Sequence, residues 1–292
     1  MNLHSLIPLI LKTSIFLTVF ALGLQATFAD ATFLFRHPRL LFRGILSMNV
    51  MMPLLAMFLV LTFHLDPAAK IALVALSVSP VPPIFPKKVL KDGGKEDYTI
   101  GLLVATVVLA VVVVPITLKI FERVTGVPLS VSALSVAAIV FKTVLTPLLG
   151  GIVVRAFASS FADRITKPIG TFAGAIMILG VIPVLFISMR TILSLTVNGT
   201  LLSLAAFAVI GYFIGYSFGG PDPGDRSVLA MATASRHPAL ALAIAHANFP
   251  EQKLAAPTVL LYLIVSTVVT SLAPKLMKKT KAPEKAKGQA AG

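Results

Sequence analysis

The sequence contains no cysteine and no tryptophan, and it holds little charge. Without cysteine the chain can form neither a disulfide nor a thiolate metal site. Without tryptophan, any aromatic belt at a membrane surface must rest on 4 Tyr and 19 Phe residues. Charged residues are 12% of the 292 residues, hydrophobic residues are 57%, and the mean hydropathy is +0.95. Soluble domains have about twice that share of charge, so the composition indicates an integral membrane protein of the all-α class.

Apolar runs divide the chain into nine predicted membrane segments of about 20 residues each. We place them at residues 5–26, 40–63, 67–90, 98–120, 130–157, 168–192, 200–218, 226–249 and 253–276. The net charge of +14 does not indicate nucleic acid, because the basic residues lie in short loops between the apolar runs. With the N-terminus outside and the C-terminus inside, most Lys and Arg residues fall on the cytoplasmic side, as the positive-inside rule expects.

The predicted architecture is a single transmembrane domain over residues 1–277, followed by a basic tail at residues 278–292. The tail is rich in Lys and Ala, and we expect it to be disordered in the cytoplasm. We expect the protein in the inner membrane of a bacterium. The sequence leaves open whether the first segment is cleaved and which oligomer the chain forms.

The third segment contains a break at Ser79-Pro80-Val81-Pro82-Pro83, since four of the seven residues from Pro80 to Pro86 are proline. Proline lacks the N–H that a helix needs, and its ring clashes with the preceding turn. Lipid cannot satisfy the freed backbone groups, so such a break must be buried in protein or line a polar cavity. The alternative is an ordinary loop between two helices, which would leave residues 67–79 re-entrant and spoil the charge alternation downstream.

The eighth segment is interrupted in the same way at Ser235-Arg236-His237-Pro238. Pro238 disfavours helical geometry at His237, and an arginine at membrane depth is costly unless it faces a cavity or a partner. Each break falls in the second-to-last segment of its half. Segments one to four then pair with segments six to nine, so equivalent segments lie five crossings apart. An odd number of crossings reverses the orientation, which predicts inverted repeats with two broken crossing helices. Interrupted segments at matching positions of two halves are typical of a transporter site.

At these two breaks the sequence resembles the bile acid:sodium symporter family. The family has a Pro-Gly-Gly…Ser-Asn element where Ser79-Pro80-Val81-Pro82-Pro83 stands here, and a Gln-Asn pair where Arg236-His237 stands. The loop Phe35-Arg36-His37-Pro38-Arg39 and the stretch 142–150, Lys142-Thr143-Val144-Leu145-Thr146-Pro147-Leu148-Leu149-Gly150, are also similar to family patterns. The resemblance implies a core domain (about 38–121 and 198–276), a panel domain (about 5–27 and 130–193) and a substrate between them, transported by alternating access.

Sodium is the coupling ion that the resemblance implies, but this sequence departs from the family at the sodium ligands. The family's Ser-Asn position falls at about Phe85-Pro86 and its acidic position near Ala232, while Thr106 could retain one hydroxyl ligand. No acidic residue lies within a predicted span; the eleven are Asp30, Asp66, Asp92, Glu96, Asp97, Glu122, Asp163, Asp222, Asp225, Glu251 and Glu284. We therefore expect no metal site and no cofactor.

Our hypothesis is that fixed cations replace the sodium ions and attract a small organic anion. Transport would then be by a uniporter, by an exchanger or, through His237, proton-linked. The candidate crossover and substrate residues are Ser79, Pro80, Pro82, Pro83, Lys87, Thr106, Lys142, Ser235, Arg236, His237 and Pro238. Two alternatives stay open, namely an uncoupled channel and a membrane sensor or scaffold that has the fold without transport. An enzyme is not expected, because the spans lack catalytic carboxylates.

Overall fold

A computed structural model describes residues 3–91, 94–195 and 199–289, and its regular structure over these residues is entirely helical. The α-helices are α1 (Leu3–Gly23), α2 (Phe28–Ala31), α3 (Phe33–Arg36), α4 (Pro38–Ile45), α5 (Met52–Thr62), α6 (Pro67–Val78), α7 (Phe85–Lys91), α8 (Glu96–Thr125), α9 (Ala133–Val140), α10 (Thr146–Phe157), α11 (Ser159–Ser194), α12 (Thr200–Phe218), α13 (Pro223–Thr233), α14 (Pro238–Asn248) and α15 (Ala255–Gln289). Two π-helices, π1 (Leu46–Met51) and π2 (Phe141–Leu145), join α4 to α5 and α9 to α10.

Seven helical segments in the described part of the chain are long and apolar enough to cross a membrane. They are Pro38–Thr62, Glu96–Thr125, Ala133–Phe157, Ser159–Pro183, Thr200–Phe218, Pro223–Asn248 and Ala255–Leu276. Two shorter apolar helices, Leu9–Gly23 and Pro67–Val78, fall in the first and third predicted segments. The chain is thus a polytopic helical membrane protein. Nine crossings stay a prediction, since α6 is only 12 residues long and cannot span a bilayer alone.

The two interrupted segments begin with the same capping motif, an aspartate N-cap followed by proline. The Asp66 carboxylate accepts the Ala68 N–H at 2.8 Å, and Pro67 follows it as the first residue of α6. The Asp222 carboxylate accepts the Gly224 N–H at 2.8 Å, and Pro223 opens α13. An aspartate N-cap followed by proline suits a helix start, because the cap satisfies a free N–H and proline has none to lose.

The helices pack in two sets. In the first set, α1 lies along α10 and α11, and Ser14 Oγ donates to the Ala173 carbonyl at 2.8 Å. In the second set, α12 packs against α13 and α15, and α6 packs against α5, α14 and α15. The sets meet where α9 contacts α8 and α14, and where α11 contacts α15.

Buried apolar side chains form two large clusters at different depths of the helices. Val78 and Leu240 belong to one cluster, whereas Val81 and Ala234 belong to the other. The two breaks therefore lie at the boundary between the clusters. Several buried polar side chains occur at this boundary, namely Ser47, Ser79, Thr233, Arg236 and His237. A polar layer thus separates two apolar layers at the level of the breaks.

Two helices are longer than the sequence predicts. Helix α11 starts at Ser159 rather than near residue 168 and runs through Pro168 and Pro183 without ending. The disorder of the basic tail in the cytoplasm stays a prediction, and helix α15 continues to Gln289, past the predicted end of its span near residue 276. The physical reason is that Ala, Lys and Glu, which dominate this stretch, are strong helix formers. Residues 290–292 lie outside the described residues.

Candidate functional site

The first break is a buried stretch of extended chain between α6 and α7. Helix α6 ends at Val78, and Ser79 has extended geometry with φ −76° and ψ 140°. The Ser79 hydroxyl donates to the Ala75 carbonyl at 2.7 Å and so caps its own helix. Pro80, Val81, Pro82 and Pro83 are buried. Irregular backbone at this depth is surrounded by protein, as a membrane interior requires.

The second break joins α13 to α14 through residues 234–237. Thr233 is the last residue of α13 and Pro238 the first of α14. The His237 ring accepts the Leu240 N–H through Nδ1 at 3.4 Å and thus caps α14. Pro238 lies at the position where a missing N–H costs nothing. The predicted interruption is therefore present in the structure.

The two breaks contact each other directly. The His237 N–H donates to the Pro80 carbonyl at 2.8 Å. The Arg236 Nη1 donates to the Ser79 carbonyl at 3.1 Å. Residues 157 positions apart in the chain are thereby joined at one point. Four of the predicted residues, Ser79, Pro80, Arg236 and His237, come together here.

Arg236 is the largest side chain that is fully buried, with 1% of its surface exposed. Its Nη2 donates to the Met48 carbonyl at 3.4 Å, and its Nε has no hydrogen-bond partner in the residues that the structure describes. Both acceptors are backbone carbonyls. The ion pairs of the described chain involve other basic residues, namely Lys95, Lys119 and Arg155. The guanidinium charge is therefore stabilised by carbonyl dipoles, including the C-terminal end of α6.

The Met48 carbonyl is available to Arg236 because it lies in π1. A π-helix pairs each carbonyl with the N–H five residues later. For Met48 that residue is Pro53, which has no N–H. The same relation holds in π2, where Pro147 stands five residues after Lys142. A proline in each spanning helix thus coincides with a π-turn near the breaks.

Thr143 of π2 brings the panel set of helices against the second break. Its Oγ1 lies 3.4 Å from His237 Nε2 and donates to the Ile139 carbonyl at 2.8 Å. Since His237 Nδ1 accepts from Leu240, the neutral ring carries its proton on Nε2. The His237 Nε2–H then donates to Thr143. One histidine therefore caps α14 and contacts π2 at the same time.

The sequence analysis missed several residues of this site. Tyr262 Oη donates to the Ala234 carbonyl at 2.8 Å, and Ser47 Oγ lies 2.7 Å from Thr233 Oγ1. Met48 and Thr143 were also not among the predicted site residues. The prolines at 53 and 147 were a signal for the last two, because each interrupts an apolar run. No local signal marks Tyr262, which lies in an uninterrupted helix.

Other predicted residues lie apart from the contacts between the breaks. The Thr106 hydroxyl donates within its own helix to the Leu102 carbonyl at 2.8 Å. Lys87 Nζ reaches the Gly170 carbonyl of α11 at 3.4 Å, and its neighbour Lys88 donates to the Thr267 carbonyl of α15 at 3.0 Å. Lys142 is exposed, and Ser235 is half-buried. Pro82 and Pro83 are buried in the first break, and Pro238 begins α14.

An ion-pair cluster joins the loop after the first crossing segment to the start of the second one. Lys95 Nζ lies 2.8 Å from Asp222 Oδ2 and 3.0 Å from Asp225 Oδ1. The hydrogen bond to Asp222 raises the pKa of Lys95, and the same bond lowers the pKa of Asp222. Lys95 precedes α8, and Asp222 precedes α13. The loops that follow α7 and precede α13 are thus held together.

The donor set at the breaks does not suit a metal ion. Among the described residues, no group of three or more His, Cys, Asp or Glu side chains could hold one. The Ser79 and Met48 carbonyls are hard oxygen donors of the type that a sodium ion prefers, but each accepts from the Arg236 guanidinium. A second cation at the same carbonyls would meet like-charge repulsion.

Comparison with known proteins gives one family. The model of the Sodium Bile acid symporter family matches residues 13–196, which include the first break, both π-helices and Lys142. The match ends before the second break. No curated protein matches the chain significantly. The family match confirms the predicted relationship and covers more than half of the 292 residues, so the chain belongs to the sodium bile acid symporter family, a family of membrane transporters.

Proposed function

We propose that the protein is a secondary transporter that moves a small organic anion by alternating access, without coupling to sodium. The observation that carries this proposal is the position of Arg236. Its guanidinium donates to the Ser79 carbonyl at the end of α6 and to the Met48 carbonyl in π1. It therefore supplies a permanent positive charge where a broken helix exposes its negative end.

The acidic residues support sodium independence. Sodium in a membrane protein is bound by oxygen atoms, and a carboxylate at depth would balance its charge. The carboxylates found in ion pairs of the described chain, Glu122, Asp163, Asp222 and Asp225, lie at helix ends or in loops. With a fixed cation already at the breaks, a bound sodium ion would lack a counter-charge.

The environment of His237 argues against proton coupling through this residue. A second proton on the ring would have to bind Nδ1, which accepts the Leu240 N–H. Protonation would therefore remove the N-cap of α14 and add a charge beside Arg236. Both effects are unfavourable, so a uniporter or an exchanger fits this site better than a proton symporter.

In this proposal the substrate binds between the core and panel helices, near the contact of Thr143 with His237. Arg236 supplies a buried positive charge beside this contact, and Lys142 is an exposed cation on π2. Lys87 extends from α7 to the Gly170 carbonyl of α11. An organic anion suits such surroundings, and the family name is that of transporters for amphipathic anions.

Alternating access needs two bodies that can separate. Helices α1, α9, α10 and α11 would form the panel, and α4–α8 with α12–α15 the core. The matched Asp–Pro starts of α6 and α13 support inverted repeats, and the two broken helices would complete nine crossings with the N-terminus outside. The bilayer and a small anion are the partners required by this proposal.

The test is uptake into proteoliposomes that contain the purified full chain. Labelled taurocholate, benzoate and pyruvate serve as probe anions, with either sodium or choline as the external cation. We expect saturable exchange of at least one probe at equal rates in both media. Arg236→Gln should abolish exchange, Arg236→Lys should leave a measurable rate because a cation remains, and Arg164→Gln, at an exposed arginine, should act as the wild type.

Sodium-driven accumulation of any probe in the wild type would overturn the sodium-independent mechanism. Removing Arg236 can also lower stability, because hydrogen bonds to a charged group contribute about 1.5–3 kcal/mol each. A thermal melt of each variant therefore shows whether transport is lost while the protein remains folded.

A further inference from the structure

An apolar cavity of about 270 Å³ lies against α6, and none of its lining residues belongs to either break. Its lining includes Val60, Ile71 and Val74 from α5 and α6, and Phe249 from the loop after α14. Ile71 and Val74 are buried, whereas Val60 and Phe249 are partly exposed. Small-molecule sites are usually apolar clefts of about 300–1,000 Å³ with a few polar groups. This cavity is slightly smaller than that range and suits a small ligand.

Two polar side chains also line the cavity. Lys70 is half-buried and Gln252 is exposed. Lys70 forms no ion pair with a described residue, although Asp66 is one helical turn away, because the Asp66 carboxylate caps α6 through the Ala68 N–H. The first turn of α6 also contributes Pro67 to the lining. The Lys70 ammonium therefore lies beside an apolar interior, while the Asp66 carboxylate offsets the partial charge of the helix start.

The remaining lining comes from the segment that links the two helix sets. Thr125, Val127 and Leu129 belong to the end of α8 and to the chain that leads to α9. This linker is fixed to α14 by two hydrogen bonds, from the Ser130 N–H to Asn248 Oδ1 at 2.6 Å and from Asn248 Nδ2 to the Ser130 carbonyl at 2.9 Å. The cavity thus lies between the linker and the core helices.

We propose that this cavity binds a small amphipathic carboxylate, with the charged group on Lys70 and Gln252 and the alkyl chain among Val60, Ile71, Val74 and Leu129. Charge complementarity selects an anion, and the apolar lining selects a single short chain. A bound molecule touches the linker and the core together. A second inference rests on the proposed transport function: a molecule bound in the cavity holds the linker against the core and slows exchange of the substrate.

Binding is tested without reference to transport. The full chain in phosphatidylcholine nanodiscs is irradiated with a diazirine derivative of decanoate, and the labelled peptides are identified by mass spectrometry. We expect label within residues 60–74 and 125–129, removed by excess decanoate. Lys70→Gln should reduce labelling about tenfold, as loss of one charge-assisted contact would, and Val74→Phe should reduce it by filling the cavity. Lys253→Gln, next to Gln252 but outside the lining, is the matched control.

Equal labelling of Lys70→Gln and wild type, or equal labelling by the corresponding diazirine decanol, would overturn the anion site. Preferential labelling by a phospholipid-borne diazirine would also overturn it, in favour of a lipid chain. In the transport arm, external decanoate should slow probe exchange in the wild type and in Lys253→Gln but not in Lys70→Gln. Labelling with unchanged exchange would refute the effect on the linker alone, whereas absence of any exchange would refute the proposed function and leave the labelling result valid.

Discussion

Arg236 is a buried charged residue at the point where the two breaks meet. A buried charge is costly unless it is paired or well hydrogen-bonded. Arg236 donates to two carbonyls that regular helices would have used internally, those of Ser79 and Met48. The proline-rich break and π1 create these free acceptors. An arginine holds its donors in a rigid planar fork, whereas a lysine has one compact ammonium on a flexible stem.

His237 has two separable roles at the residue scale. It caps α14 through Nδ1 and contacts Thr143 through Nε2. We predict that His237→Ala lowers stability by about 1 kcal/mol, the usual cost of losing an N-cap, whereas His237→Asn retains the cap. Both variants should lose transport to a similar degree. The measurements are thermal unfolding by circular dichroism and probe exchange.

Thr143→Val is the control for His237, since it removes the same contact from the panel side and leaves the cap intact. It should lower exchange without the loss of stability. Equal destabilisation by Asn and Ala at position 237 would contradict the capping role.

The two π-helices matter at the scale of elements, because each lies just before a proline inside a spanning helix. Pro53→Ala restores an N–H five residues after Met48, which lets π1 satisfy the Met48 carbonyl internally. We predict that exchange falls by roughly tenfold, because the bond from Arg236 is worth about 1.5–3 kcal/mol and would be weakened. Pro115→Ala, at a proline inside α8 that no π-helix precedes, is the matched control. Wild-type exchange in Pro53→Ala would show that transport does not depend on the Met48 carbonyl of π1 as an acceptor for Arg236.

The Lys95–Asp222 pair links two loops and gives a prediction for pH. The pKa of Asp222 is lowered in the folded protein, so the contribution of its charge is present above the usual aspartate pKa of about 3.9. That contribution is lost as the pH falls through the lower folded value. The pKa of Lys95 is raised, so its contribution is lost only at alkaline pH, as the pH rises through the folded value.

Asp222→Asn isolates the charge, because asparagine also caps a helix. The melting temperature of the wild type should exceed that of Asp222→Asn at pH 7, and the difference should begin to fall below about pH 4 and vanish below the lowered folded pKa of Asp222. High salt should also reduce the difference. A difference that is constant from pH 7 to pH 3 would contradict the ion pair.

At the scale of the whole molecule, the crossing of α6 and α7 decides the topology. If these two half-helices together span the bilayer, the loop before α6 and the loop after α7 lie on opposite sides. Because the chain has no cysteine, single cysteines can be introduced without background. We predict that His64→Cys reacts with an impermeant maleimide from outside and that Lys91→Cys reacts only after the membrane is permeabilised. Labelling of both from one side would make the break an ordinary loop.

Much of this architecture could be predicted from local sequence. Composition determined the membrane class, and the prolines at 80, 82, 83 and 238 marked the two breaks, since α6 ends just before the first three and α14 begins at the last. The Asp–Pro starts are equally local. The continuation of α15 to Gln289 was not predicted, since the prediction for the tail rested on its polar composition and not on its strong helix formers.

The contacts of the site were decided by the tertiary structure. Nothing near Arg236 in the sequence indicates that its guanidinium lies on the carbonyl of Met48, 188 residues away. The sequence by itself determined which backbone groups would be left free, through proline. Only the packing of α4–α5, α6 and α13–α14 decided which donors satisfy those groups, because a freed carbonyl accepts from whichever donor the fold brings within about 3 Å.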